Sequence, residues 1–353
     1  MNIILILGID NFSRKNIPQV EYFNKIGYVF DVFTTDRLKD SKRNLPGGND
    51  LFILEPSFFK RILQIYRYLK KRSNCIKHVE AYPGGRFSMF YVLFSKLFKL
   101  KMITVERGDL LYLNRYPLIT KLSMILCYKF SDVVWYKEFY MKKILDKLKV
   151  KNTFFLHNSI KNTSYNTNYL DKRVEFLWVN RIIPERKISW FTDILKENKF
   201  KDTKNLLLGF QDILENEQRR SSSKVLSLNN LKVCGYIEPE DSYLSSKYFV
   251  LPSDIVFCNN SLLEAMSHGV VPLVSDVEGA RLIVEDGVSG IVFEHNKRAF
   301  QSAMEKALNI SKEQYEIMAK NAVEKVRKDF SYKKWGEKLL AKYKELEKEE
   351  VWP

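Results

Sequence analysis

The chain has 353 residues, 45% of them hydrophobic, and a net charge of +16 at pH 7. That length supplies ample core for two domains, and no apolar run reaches the roughly 20 residues that a membrane-crossing helix needs. Residues 1–160 hold 28 Lys and Arg against 13 Asp and Glu, a net of +15, while residues 161–353 hold 30 against 29, a net of +1. The first half therefore carries the field that draws in anionic partners.

The opening MNIILILGID has no basic region and no cleavage site, so it reads as a buried strand and not a signal peptide. Six further strands follow in the first half: Val29–Thr34, Leu51–Leu54, Ile76–Glu80, Met102–Val105, Val133–Tyr136 and Thr153–Leu156. Helical periodicity fills Phe58–Arg72 and Lys137–Leu148 between them. On Phe58–Arg72 the pattern sets Phe58, Phe59, Ile62, Ile65, Tyr66 and Leu69 on the packed side, with a basic face outside. That face and the cationic 137–151 stretch are the expected contacts with an anionic membrane surface. The polar run 158–173 reads as a linker. Alternation then restarts with VEFLWVN, LLLGF, LKVCGY, YFVLPS and VVPLVS, and the chain closes on a charged helix, Tyr332–Glu350. Strand–helix alternation predicts an α/β protein with two parallel, doubly wound sheets, one in residues 1–160 and one in residues 161–331.

Cys75, Cys127, Cys234 and Cys258 form no C-x-x-C pair, and the four histidines form no ligand cluster. A structural metal or a disulfide framework is not expected, and no cofactor is called for.

Residues 251–290 are the most informative. LPS ends a strand, Asn259, Asn260 and Ser261 offer caps to a helix over Leu262–His268, and Gly269 stands where that helix stops. A helix start behind a small polar loop presents free N–H groups to phosphate oxygens, and Glu264 one turn further in can accept two ribose hydroxyls. Pro252, Ser253, Leu263–Met266, Gly269, Pro272, Ser275, Asp276, Gly279, Asp286, Gly287 and Gly290 fall in register with a known signature. It is that of the retaining glycosyltransferases of family 4, which this stretch resembles. One departure stands out: the family's first glutamate, eight residues before Glu264, is Val256 here, and its E-G-F-G has become Val256-Phe257-Cys258-Asn259.

The resemblance implies the GT-B architecture, two Rossmann-like domains facing a central cleft, with the closing helix of about 332–350 packed back on the first domain. Phe330, Tyr332, Trp335, Leu339, Leu340 and Tyr343 are the residues expected on its buried face. The resemblance also implies a sugar transfer from a nucleoside-diphosphate sugar, UDP guessed over GDP, to a lipid-linked or polysaccharide acceptor, with retention and without metal. Arg181 matches the family's arginine and Arg186 takes the place of its lysine, two cations for the leaving diphosphate. Gly209 would bring backbone near the phosphates and Tyr236 would border the base. Asp254, Val256, Phe257, Cys258, Asn259, Asn260, Ser261 and Glu264 complete the donor side. On the acceptor side stand Arg14 and Lys15, Arg107 to grip an anionic acceptor, and Glu106 or Asp109 to receive its proton.

Bacterial surface-polysaccharide assembly on the inner face of the cytoplasmic membrane is the expected setting, as a cytoplasmic, peripheral protein. The missing glutamate leaves a second reading, a weak or inactive glycosyltransferase-like scaffold. The family-4 signature argues against a nucleotide-sugar epimerase of the same architecture, and nucleic-acid binding has no recognition helix or aromatic RNA-binding motif behind it.

Overall fold

The computed structural model describes residues 2–9, 16–35, 49–161, 163–209, 228–235 and 237–348, without the side chains of residues 17, 18 and 109. The chain divides into two compact units, residues 1–157 with 333–353 and residues 158–332.

The first unit runs β1 (Asn2–Ile9), α1 (Ile17–Asn24), β2 (Tyr28–Thr34), β3 (Asp50–Ile53), α2 (Phe58–Arg72), β4 (Ile76–Ala81), α3 (Ser88–Leu97), β5 (Lys101–Val105), α4 (Leu118–Phe130), β6 (Val133–Tyr136), α5 (Phe139–Lys147) and β7 (Thr153–Phe155). Its strands are parallel in the order β3-β2-β1-β4-β5-β6-β7. Parallel strands covered on both faces need continuous apolar runs, which is why β1 reads NIILILGI. Ile65 and Leu69 of α2, Tyr91 and Phe94 of α3 and Cys127 of α4 pack together against one face of this sheet.

The second unit runs β8 (Val174–Val179), α6 (Ile188–Ile194), β9 (Asn205–Leu208), β10 (Leu231–Val233), α7 (Glu240–Leu244), β11 (Ser246–Leu251), α8 (Asn260–Ser267), β12 (Val271–Ser275), α9 (Ala280–Ile283), β13 (Ile291–Phe293), α10 (Lys297–Leu308) and α11 (Lys312–Asp329). The parallel order β10-β9-β8-β11-β12-β13 repeats the doubly wound pattern. The two sheets expected from the sequence are both present; β13 was not anticipated. Gly290 precedes it because a Cβ there would lie 2.6 Å from Pro272 and Val284.

The last helix, α12 (Tyr332–Lys348), belongs from residue 333 onward to the first unit. Trp335, Leu339, Tyr343 and Leu346 recur at helical spacing and are buried, while Tyr332 and Leu340 are half-buried. Gly336 is set by close approach, since a Cβ would stand 2.5 Å from the Tyr22 ring. The helix meets the sheet through a buried polar cluster. Gln19 Nε2 donates to both oxygens of Glu80, at 3.1 and 3.2 Å, and to Tyr343 Oη at 3.0 Å, and Tyr343 itself donates to Glu80. A fully buried carboxylate is tolerable only with such donors.

Candidate active site

In a doubly wound sheet, ligands bind beyond the carboxyl ends of the strands where the strand order reverses. In the second unit that point lies between β8 and β11. β8 delivers Asn180 and Arg181 there, and β11 leads into the loop 252–259 that enters α8.

Arg181 is exposed and makes no hydrogen bond or ion pair with the described residues. Arg186 is half-buried in the single 3₁₀ turn Pro184–Arg186, and its Nη1 donates to Ser253 Oγ at 2.8 Å and to the Ile255 carbonyl at 2.7 Å. The two guanidiniums thus differ: one stands open to solvent, and the other fastens the loop after β11. Lys187, in the left-handed region at φ 54°, pairs with Asp254 Oδ2 at 2.9 Å. Asp254 Oδ1 lies 2.7 Å from His295 Nε2, whose Nδ1 is 3.0 Å from Ser275 Oγ. Burial would raise the Asp254 carboxyl, but the Lys187 and His295 hydrogen bonds outweigh it and hold the group below the usual range.

Asn259 forms the helix entrance. Its Oδ1 accepts from Leu262 N at 3.0 Å, capping α8, and its Nδ2 donates to Asn180 Oδ1 at 3.0 Å. The Asn180 Nδ2 is buried and finds no hydrogen-bond partner among the described residues. The loop before the cap is tightly held. Cys258 sits at φ 52° and its carbonyl accepts from Asn158 Nδ2 at 2.8 Å. Val256, Phe257 and Cys258 are all buried, so the position that carries glutamate in the resembled pattern holds an interior side chain here. Gly279 passes close over this loop; its φ is +83° and a Cβ would meet Phe257 at 2.7 Å.

Asn260, Ser261 and Glu264 are half-buried in the first turns of α8. The Tyr243 hydroxyl, on α7, donates to Glu264 Oε2 at 3.1 Å. Burial, reinforced by the Glu264 carboxylate, pushes the Tyr243 hydroxyl well above its ordinary range, so it stays protonated and donates. The Tyr243 ring stacks on His268, whose Nδ1 lies 2.7 Å from the Glu264 carbonyl. Gly209, after β9, has φ +94°, and a Cβ would stand 2.6 Å from the Asn180 carbonyl. The structure thus brings Arg181, Arg186, Gly209, Asp254, Asn259 and Glu264 to one end of one sheet. Tyr236 lies outside the described residues.

The acceptor-side residues are placed differently. Glu106 is fully buried after β5. Its Oε1 accepts from Gly108 N at 2.6 Å and Leu110 N at 3.1 Å, and Tyr128 donates to its Oε2. The proton-acceptor role expected for Glu106 is therefore corrected: the carboxylate caps the turn that follows it and is closed to solvent. Arg107 is exposed, its guanidinium 5.5 Å from the centre of the Tyr82 ring. Arg14 and Lys15 lie outside the described residues, as does the side chain of Asp109. Among the described residues no group of three or more His, Cys, Asp or Glu side chains gathers as a metal site. Tyr243 and His295 were not read as site residues in the sequence, because only the fold brings them to the resembled motif; Asn180 and Lys187 adjoin Arg181 and Arg186 in the chain, but their partners Asn259 and Asp254 appear only in the fold.

Residues 173–309 match the family model described as "Glycosyl transferases group 1". The capsular polysaccharide biosynthesis glycosyltransferase CapH of Staphylococcus aureus is 25% identical over 140 residues, 37% of this chain and 39% of that protein. The aligned stretches span 35 to 39% of the length of the curated relatives matched. The sucrose-phosphate synthase (tll1590) from Thermosynechococcus elongatus superposes with a TM-score of 0.79 at 15% identity, over 98% of this chain and 99% of that one. Anabaena Alr3699/HepE, solved in complex with UDP and glucose, gives 0.76 at 12% identity over 98% and 100%. These likenesses establish the fold as that of GT-B glycosyltransferases.

Proposed function

We propose that this chain is a retaining, family 4-like glycosyltransferase that moves one sugar from a nucleoside-diphosphate sugar to a lipid-linked or polysaccharide acceptor. The observation that carries this reading is Arg181: an exposed cation without a partner among the described residues, next in sequence to the Asn180–Asn259 contact that sets the start of α8. As the glycosidic bond breaks, negative charge builds on the leaving diphosphate. The Arg181 guanidinium, free to close on the diphosphate, and helix-terminal N–H groups stabilise that charge where it forms, without an ion. Glu264, oriented by Tyr243, accepts the ribose hydroxyls. Retention of configuration then relies on positioning and leaving-group stabilisation, so an interior valine at position 256 is compatible with turnover and alters how the sugar is read. UDP is favoured over GDP because the HepE relative was solved with UDP. The CapH relative supports a role in bacterial surface-polysaccharide assembly; the net charge of +15 in residues 1–160 is what favours a cytoplasmic enzyme peripheral to the inner face of the membrane.

The test is a panel of UDP- and GDP-sugars scored for thermal stabilisation and for slow hydrolysis, with and without a chelator. A UDP-sugar should raise the melting temperature and be turned over equally well in chelator. Stabilisation without any turnover across the panel would instead mark a scaffold, and strict dependence on added manganese would overturn the metal-free mechanism.

A further inference from the structure

Three neighbouring helices of the first unit share an unusual outer face. Along α4, Leu118, Leu122, Leu126 and Phe130 recur every fourth residue and are 70, 50, 40 and 56% exposed, while Met124, Cys127 and Tyr128 fill the opposite side. α3 adds Leu93 and Leu97, both exposed. α2 adds Phe59 and Tyr66, which corrects the expectation that both pack inward; Ile65 and Leu69 are the residues that reach the core. The helices adjoin one another: Met89 N donates to Ser123 Oγ at 2.9 Å between α3 and α4, and the Tyr66 ring lies 5.7 Å from that of Phe98, just past α3. Single exposed apolar side chains are ordinary, but a concentration on one helix layer marks a docking surface.

The charge of the same helices says what docks. Together α2, α3 and α4 carry nine Lys and Arg and not one Asp or Glu. A helix layer meant for water alone mixes both signs, and a protein interface surrounds its apolar centre with a mixed polar rim. Leucine and aromatic side chains among cations of one sign suit an anionic lipid surface. Among the described residues no helix is long and apolar enough to cross a membrane, so the helices would lie along it.

We propose that the outer face of α2, α3 and α4 docks on an anionic lipid bilayer. Its leucine and phenylalanine side chains enter the boundary between headgroups and acyl chains, and its lysines and arginines meet the lipid phosphates. The inference adds an apolar, α4-centred surface to the charged stretches picked out in the sequence. It fits a lipid-linked acceptor but rests on no donor chemistry, and binding is read without nucleotide sugar, so each reading can fail alone.

The experiment is flotation of the full chain with vesicles of phosphatidylcholine, with and without phosphatidylglycerol. Binding is expected only to the anionic vesicles. The Leu118→Ser/Leu122→Ser variant should bind about tenfold more weakly, and Lys60→Glu/Lys129→Glu should lose the preference for phosphatidylglycerol. Both variants change exposed residues and should keep the wild-type melting temperature and its shift with UDP. Three results would overturn the proposal: no binding to anionic vesicles, binding unaffected by either variant, or a dimer in sedimentation velocity that the leucine variant dissolves, which would assign the face to a second copy.

Discussion

Arg181 and Arg186 meet different surroundings although both match cationic positions of one motif. Arg181 has no bond to break among the described residues, so Arg181→Ala should leave the free protein within about 0.5 kcal/mol of wild type. It should still abolish the thermal shift with UDP and slow turnover by roughly a hundredfold, the loss typical of a group that stabilises charge formed in the transition state. Arg186→Ala removes donors from Ser253 Oγ and the Ile255 carbonyl, so it should cost about 1–3 kcal/mol in denaturant unfolding before any ligand is added. Equal destabilisation by the two variants would refute the division. This distinction was not legible in the sequence, which gave the motif's residue types and spacing but not their partners. Tyr243 shows the same limit: it lies 21 residues from Glu264 in sequence, on another helix, and belongs to no motif. Glu106 shows the reverse, a motif-like acidic residue that the fold encloses.

At the level of elements, continuous apolar runs located the strands of the first sheet, and helical periodicity located α2, α5 and the closing helix. The helix read over Phe58–Arg72 is α2 with the same ends, and the strands of the first sheet shift by only one or two residues. Other elements went unread, among them the 18-residue α11 and the 13-residue α4. β13 has three residues and borrows its stability from pairing with β12, so no local pattern announces it. The polar run 158–173 read as a linker, yet it is fastened to the second unit, where Asn166 N donates to the His268 carbonyl at 3.1 Å. Lys172, at the end of this run, is buried with its Nζ 3.5 and 3.4 Å from the carbonyls of Tyr243 and Gly269. Burial pulls its ammonium down from 10.5 to about 7. Between those values the unfolded chain binds the proton more tightly than the folded one. Stability should therefore rise with pH across that window, by about 1.4 kcal/mol per unit for one proton, and stay flat below it, where both states are protonated. Lys172→Met should be more stable than wild type near pH 7 and lose that advantage toward pH 10. The check is urea unfolding of both proteins across this range, and parallel pH profiles would exclude the assignment.

For the molecule as a whole, the uneven charge separates the two proposed kinds of anion recognition. The first 160 residues carry a net of +15 and the rest a net of +1. Exposed charges act over roughly 8–10 Å at moderate ionic strength and are screened as salt rises, whereas short hydrogen bonds from fixed donors are screened much less. The proposed attraction of the first unit to a lipid surface would come from many exposed cations and should therefore fall steeply with salt. The proposed nucleotide binding in the second unit would come from a few local contacts in a nearly neutral sequence, and it should respond weakly. Raising the salt from about 50 to about 300 mM should cut vesicle binding by at least about tenfold while changing the affinity for UDP by no more than about threefold. Flotation and isothermal calorimetry in matched buffers measure the two. The outer apolar face complicates the first curve in a useful way, because leucines and phenylalanines already in the interface are not screened, so wild type should retain a salt-resistant remainder that Leu118→Ser/Leu122→Ser removes. If both affinities fell in parallel, the charge of the first unit would be governing nucleotide capture as well, and the local site around Arg181 and Glu264 would not be sufficient to hold it.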